Sequence, residues 1–97
     1  MNLEGKTVLI VGVGRGIGRR AAELFSASGA NVVISSRSEP ELMELEYKLN
    51  TNGNQNVLAL AADAGIETDA KALVSEAVEK FGSIDYLVHA AGTGVLK

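Results

Sequence analysis

Apolar residues fall along this chain in two alternating rhythms. Short continuous runs of β-branched and aliphatic residues, which suit strands covered on both faces, alternate with stretches whose apolar positions recur every three or four residues, as on one face of a helix. The first run is Val8–Val11, set between Gly-Lys-Thr and a group of glycines. A helical spacing follows in Ile17, Ala21, Leu24 and Phe25, with Gly29 placed to end it. Asn31–Ser36 predicts a second strand. Ser38 and Glu41 have the spacing of a capping box, and Leu42, Leu45 and Leu49 continue it as an amphipathic helix. Pro40 falls in that helix's first turn, where its missing N–H costs least.

Polar Asn50–Asn56 has the composition of a loop, and Val57–Asp63 predicts a third strand. Thr68 is placed to cap a third helix with an apolar face of Leu73, Val74, Ala77, Val78 and Phe81, closed by Gly82. Ile84–Gly92 supplies a fourth strand that runs into a turn of small residues. The resulting order, β-α-β-α-β-α-β, predicts an α/β fold with a parallel sheet joined by right-handed crossovers.

Length and composition narrow this picture. Ninety-seven residues make one domain at most, residues 1–97, with no repeat of fixed period and no low-complexity tract. At 46% hydrophobic and 22% charged, the chain can build a core and lacks the signature of disorder. A domain this small buries only about 60–70% of the surface its unfolded chain exposes, so a thin stability margin is expected. A net charge of −3 gives no general footprint for nucleic acid or an anionic membrane, and neither is expected as a partner. No cysteine is present, which excludes disulfides and thiolate chemistry, and with His89 as the one histidine no metal site is expected. The apolar runs fall far short of the roughly 20 residues of a membrane span. An acidic residue precedes the first run, unlike the start of a signal peptide, and a cytoplasmic location is expected.

The candidate chemistry lies where the first strand meets the first helix. Gly12, Gly16 and Gly18 stand at G-x-x-x-G-x-G spacing, with Gly14 as a fourth glycine. Such a turn lets the backbone approach a pyrophosphate closely, and the helix N-terminus offers it N–H groups and a positive dipole end. The alternative is a plain strand-to-helix turn, and the context of the glycines weighs against it. The second strand ends in Ser36 and Arg37, where an acid would hydrogen-bond a ribose 2'-hydroxyl and an arginine would take a 2'-phosphate. There is no acid there, and Arg15 lies in the glycine loop, so Arg15 and Arg37 favour NADP(H) over NAD(H) unless both are ordinary surface arginines.

With these features in place, nearly all of the chain resembles the short-chain dehydrogenase/reductase family. The resemblance is carried by GVGRGIG at Gly12–Gly18, SSR at Ser35–Arg37, AAD at Ala61–Asp63 and FGSIDYLVHAAG at Phe81–Gly92, and by the spacing between them. Within the family the chain resembles the 3-oxoacyl-carrier-protein reductase type. The resemblance implies a doubly wound, Rossmann-like sheet of strand order 3-2-1-4, with the first two helices on one face and the third on the other.

It also implies site roles. Gly12, Gly16, Ile17 and Gly18 would line the pyrophosphate, with Arg15, Ser36 and Arg37 at the adenosine ribose and its 2'-phosphate. Asp63 would bond the adenine amino group with the Ala64 backbone beside it, and the backbone of Ala90, Ala91 and Gly92 would pass the cofactor's ribose. The sequence departs from the family pattern at His89 and Ala90, where two asparagines are usual, and at Val11, where threonine is frequent. Alanine has neither the donor nor the acceptor of asparagine, so polar bracing of the turn is reduced. His89 is open to a proton-transfer or a structural role, the latter being more ordinary at a strand end.

The larger departure is the catalytic set. Family chemistry needs a serine and a Tyr-x-x-x-Lys pair, in which tyrosine is the general acid/base. Here Tyr47 is followed four residues on by Thr51, and Tyr86 by Ala90, so no catalytic residue is assigned. The resemblance implies a chain truncated before that set, its absent elements exposing the apolar face of the first and fourth strands and the edge from Asp85 to Ala90. Self-association, or a complementing C-terminal chain, is therefore expected. The leading expectation is an NADP(H)-binding portion of an oxidoreductase, not competent alone. A nucleotide-binding regulatory or interaction module and a folded non-functional remnant are the alternatives.

Overall fold

A computed structural model describes residues 2–12, 17–51, 56–63 and 65–89 of the chain. The elements are β1 (Thr7–Val11), α1 (Ile17–Ala27), β2 (Asn31–Ser36), α2 (Glu39–Thr51), β3 (Val57–Ala61), α3 (Glu67–Phe81) and β4 (Tyr86–His89). The strands form one parallel sheet of order β3-β2-β1-β4, as the resemblance implied. Val11 stands opposite both Ser35 and His89, and Ser36 opposite Ala61, so the carboxyl ends of all four strands meet along one edge.

Strand alternation divides the apolar residues between two layers. Val8, Ile10, Val32, Ile34 and Val57 pack with Ala22, Leu42, Leu45 and Leu49 of α1 and α2. Leu9, Val11 and Val33 pack on the opposite face with Leu73 and Ala77 of α3. Central β1 and β2 are thus covered on both sides, which is why their sequences are unbroken apolar runs. Polar ties fix the opposite end of the sheet. The Thr7 N–H donates to Asp85 Oδ2 and the Asp85 N–H donates to the Thr7 carbonyl, both at 2.8 Å, which pins the start of β4 to the start of β1.

Several expectations need correction. Leu24 is 56% exposed and lies off the buried stripe of α1. The third strand ends at Ala61, two residues before Asp63. Thr68 does not cap α3; it is the helix's second residue, and Ile66 occupies the N-cap without a side-chain hydrogen bond. Gly82 closes that helix as expected, in a left-handed conformation with its N–H on the Val78 carbonyl at 2.7 Å. Val74 and Val78 of α3 are exposed, so the packed stripe is Leu73, Ala77 and half-buried Phe81.

The expected exposure of the first strand is also corrected. Leu9 and Val11 are buried, because α3 covers that face of β1. On β4, by contrast, Leu87 is 62% and Tyr86 49% accessible.

Candidate functional site

The carboxyl edge of the sheet collects the candidate residues from four separate elements. Directly after β1, Gly12 has φ +82°, a left-handed conformation that side chains rarely adopt. Its N–H donates to the Ser35 carbonyl at 2.8 Å, so the chain leaves the sheet only after one further ladder bond. Gly18 is buried as the second residue of α1. The first turn of α1 carries no acidic residue, whereas α2 has Glu39 and Glu41 there and α3 has Glu67 and Asp69. Of the three helix starts, the one after Gly12 is therefore best suited electrostatically to an anion.

Beside it, β2 ends in Ser36 and Arg37. Ser36 is buried, and its Oγ accepts the Ser38 N–H at 3.1 Å, turning the chain sharply into α2. Arg37 is exposed next to it. On the other face of β2, the Ser35 Oγ is buried with no hydrogen-bond partner among the described residues. A buried hydroxyl without a partner is costly, and its position one residue from the strand end is consistent with a polar ligand at this edge.

Beyond β3, the Ala62 N–H donates to the Ser36 carbonyl at 3.1 Å, carrying the β2–β3 ladder one residue further. Asp63 follows, half-buried, its Oδ1 accepting the Gly65 N–H at 2.9 Å and its carbonyl accepting the Ile66 N–H at 2.9 Å. The Asp63 N–H donates to Asp69 Oδ2 at 3.0 Å. That bond has no signature in the sequence, since a carboxylate six residues downstream fits no helical or strand period. His89 is exposed at the end of β4, opposite Val11.

Gly12, Gly18, Ser36, Arg37 and Asp63 are thus brought to one edge of the sheet. Arg15, Gly16, Ala64, Ala90, Ala91 and Gly92 lie outside the described residues, as does the side chain of Ile17. Neither tyrosine reaches this edge along a strand: Tyr86 begins β4 at the opposite end, opposite Val8, and Tyr47 lies exposed on α2. Among the described residues no group of three His, Asp or Glu side chains is placed to hold a metal, and no helix is long and apolar enough to cross a membrane. A left-handed glycine, an acid-free helix start and a strand end without a carboxylate fit a phosphate-bearing dinucleotide.

Comparison with known proteins agrees with this geometry. The family model for short chain dehydrogenase matches residues 6–97. An 11-beta-hydroxysteroid dehydrogenase of Pinus massoniana is 39% identical over 93 residues, which cover 96% of this chain and 26% of that protein. The crystal structure of a short chain dehydrogenase from Mycobacterium smegmatis superposes with a TM-score of 0.88 at 39% identity, covering 95% of this chain and 39% of that one. A 3-ketoacyl-(acyl-carrier-protein) reductase from Brucella melitensis, in complex with NADH, gives a TM-score of 0.81 at 38% identity, covering 89% of this chain and 34% of that one. The chain therefore spans between a quarter and two fifths of the length of these relatives.

Proposed function

This chain belongs to the short-chain dehydrogenase family, and from that premise we propose that it is the NADP(H)-holding portion of an oxidoreductase, not competent for hydride transfer by itself. The observation that carries the proposal is the meeting, at one sheet edge, of left-handed Gly12, the acid-free start of α1 and the Ser36–Arg37 end of β2. In this reading Gly12, Gly16, Ile17 and Gly18 pass the pyrophosphate. Arg15 and Arg37 take the 2'-phosphate, which a carboxylate at the end of β2 would repel. Asp63 and Ala64 hold the adenine, and the backbone of Ala90, Ala91 and Gly92 borders the nicotinamide-side ribose. The bound nicotinamide would supply or accept the hydride.

The missing competence rests on the sequence and on the positions of its tyrosines. Tyr47 and Tyr86 lack a lysine four residues on, and Tyr86 starts β4 at the end remote from Gly12. The relatives include a hydroxysteroid dehydrogenase and a 3-ketoacyl reductase, so the 3-oxoacyl-carrier-protein reductase type is one substrate class among several that this half of the fold serves. Cytoplasmic residence and a protein partner, either a second copy or a chain with the complementary elements, belong to the same proposal. The partner is supported by exposed Tyr86, Leu87, Val74 and Val78. The same surface favours the second reading, an interaction module whose contact depends on nucleotide.

Isothermal titration with NADPH and NADH tests the cofactor assignment. Tighter binding of NADPH is expected. Arg37→Ala should weaken NADPH by about tenfold or more, the scale of a charge-assisted hydrogen bond, and leave NADH nearly unchanged. Equal affinity for the two cofactors, or no response to Arg37→Ala, would remove the 2'-phosphate assignment.

A further inference from the structure

We propose that Asp69 is a positioning residue for adenine recognition: it fixes the turn that presents the Asp63 carboxylate, and so sets selectivity for the base. The inference rests on the dinucleotide reading of this edge and adds to it a residue that neither the glycine pattern nor the end of β2 identifies.

The turn between β3 and α3 is held in an unusual way. Helices commonly begin with a Ser, Thr, Asp or Asn side chain that closes the first turn, but here the N-cap is Ile66, which has no polar side-chain atom. Two carboxylates tie the turn from either side instead. Asp63 Oδ1 reaches forward to the Gly65 N–H at 2.9 Å, and Asp69 Oδ2 reaches back to the Asp63 N–H at 3.0 Å. The Asp63 carbonyl is taken by the Ile66 N–H at 2.9 Å. Asp63 is therefore fixed through its N–H, its carbonyl and one carboxylate oxygen, and its Oδ2 has no hydrogen bond to any described residue.

An oxygen held this way can only accept. It suits the exocyclic amino group of adenine, a donor, and disfavours the carbonyl oxygen that hypoxanthine carries at the same place. In this proposal Asp69 acts through the Asp63 backbone and not on the base itself. Its contribution is to keep the Asp63 backbone from rotating, and it is well placed to do so because a carboxylate in the first turn of α3 is also favoured by the helix dipole.

The test compares binding of NADPH with binding of its hypoxanthine analogue. The wild-type chain should prefer the adenine form by about tenfold or more, the cost of facing an acceptor with an acceptor. Asp69→Ala should bring the ratio to within about twofold of unity, while Asp69→Asn, whose amide oxygen still accepts the Asp63 N–H, should retain most of the preference. Circular dichroism establishes that each variant is folded. If Asp69→Ala is not, Asp69→Ser replaces it, since serine is compatible with a first helical turn and its side chain is one atom shorter. A full adenine preference in the folded Ala or Ser variant would overturn the proposal. Equal loss in Asp69→Asn would overturn it too, by tracing the effect to charge. A wild-type chain that binds neither nucleotide would remove the dinucleotide reading itself, and the inference with it; wild-type binding with an unresponsive Asp69 would remove the inference alone.

Discussion

Gly12 meets two demands at once: its φ of +82° is open to few side chains, and its N–H is committed to the Ser35 carbonyl. Alanine there keeps the N–H but must hold a left-handed backbone, at a cost on the order of 1–3 kcal/mol. Gly12→Ala should therefore lower the urea midpoint and, under the proposed cofactor assignment, also weaken nucleotide binding, because the backbone would leave the position proposed to face the pyrophosphate. An unchanged midpoint would mean that the turn relaxes without strain. Arg37 behaves oppositely. Exposed and beyond the sheet, it can be replaced with an effect of less than about 0.5 kcal/mol on folding, so its loss should register in cofactor preference alone.

The third helix carries the clearest fault at the scale of elements. Its N-cap is Ile66, so Ile66→Ser should gain about 1 kcal/mol by giving the first turn a side-chain acceptor, measurable as a raised denaturant midpoint. No gain would show that the Asp63–Asp69 ties already satisfy that turn. This helix also marks how far the fold was legible in the sequence. Gly82 announced the C-terminus because only a left-handed residue fits there, whereas Thr68 suggested a cap that the chain does not use. The helix starts two residues earlier because the Ala70 N–H pairs with the Ile66 carbonyl and the turn is held from outside the helix. Continuous apolar runs identified β1 and β2 since both faces are covered. By contrast, period alone did not separate buried Leu73 and Ala77, which pack on the sheet, from exposed Val74 and Val78, which follow them by one residue. At the carboxyl edge, Gly12 and Ser36 stood out by their place after a strand, whereas Asp63 was singled out by the family resemblance and not by local spacing. Asp69 was not, because its partner is a backbone N–H across a turn.

For the whole molecule, the two edges of the sheet differ. At the β3 edge, the Ala59 N–H is taken by Glu46 Oε2 from α2 at 3.2 Å, which blunts that strand against further pairing. Along β4, Tyr86 and Leu87 are exposed, and no further strand follows among the described residues. Association is therefore expected through β4, with exposed Val74 and Val78 of α3 as further apolar surface. Sedimentation at tens of micromolar should show an associated species, and Leu87→Lys should shift it toward monomer by placing a charge in the contact. A wild-type chain that sediments as a folded monomer would contradict this.

The central claim is that the carboxyl edge of the sheet holds a nicotinamide dinucleotide, and at 97 residues the chain is small enough to test it residue by residue with nuclear magnetic resonance. Titration of the isotopically labelled chain with NADPH should move the amide signals of Gly12, Gly18, Arg37 and Asp63 together, with a common dissociation constant. Signals that stay fixed at these four positions, or that move only along β4 and α3, would contradict it.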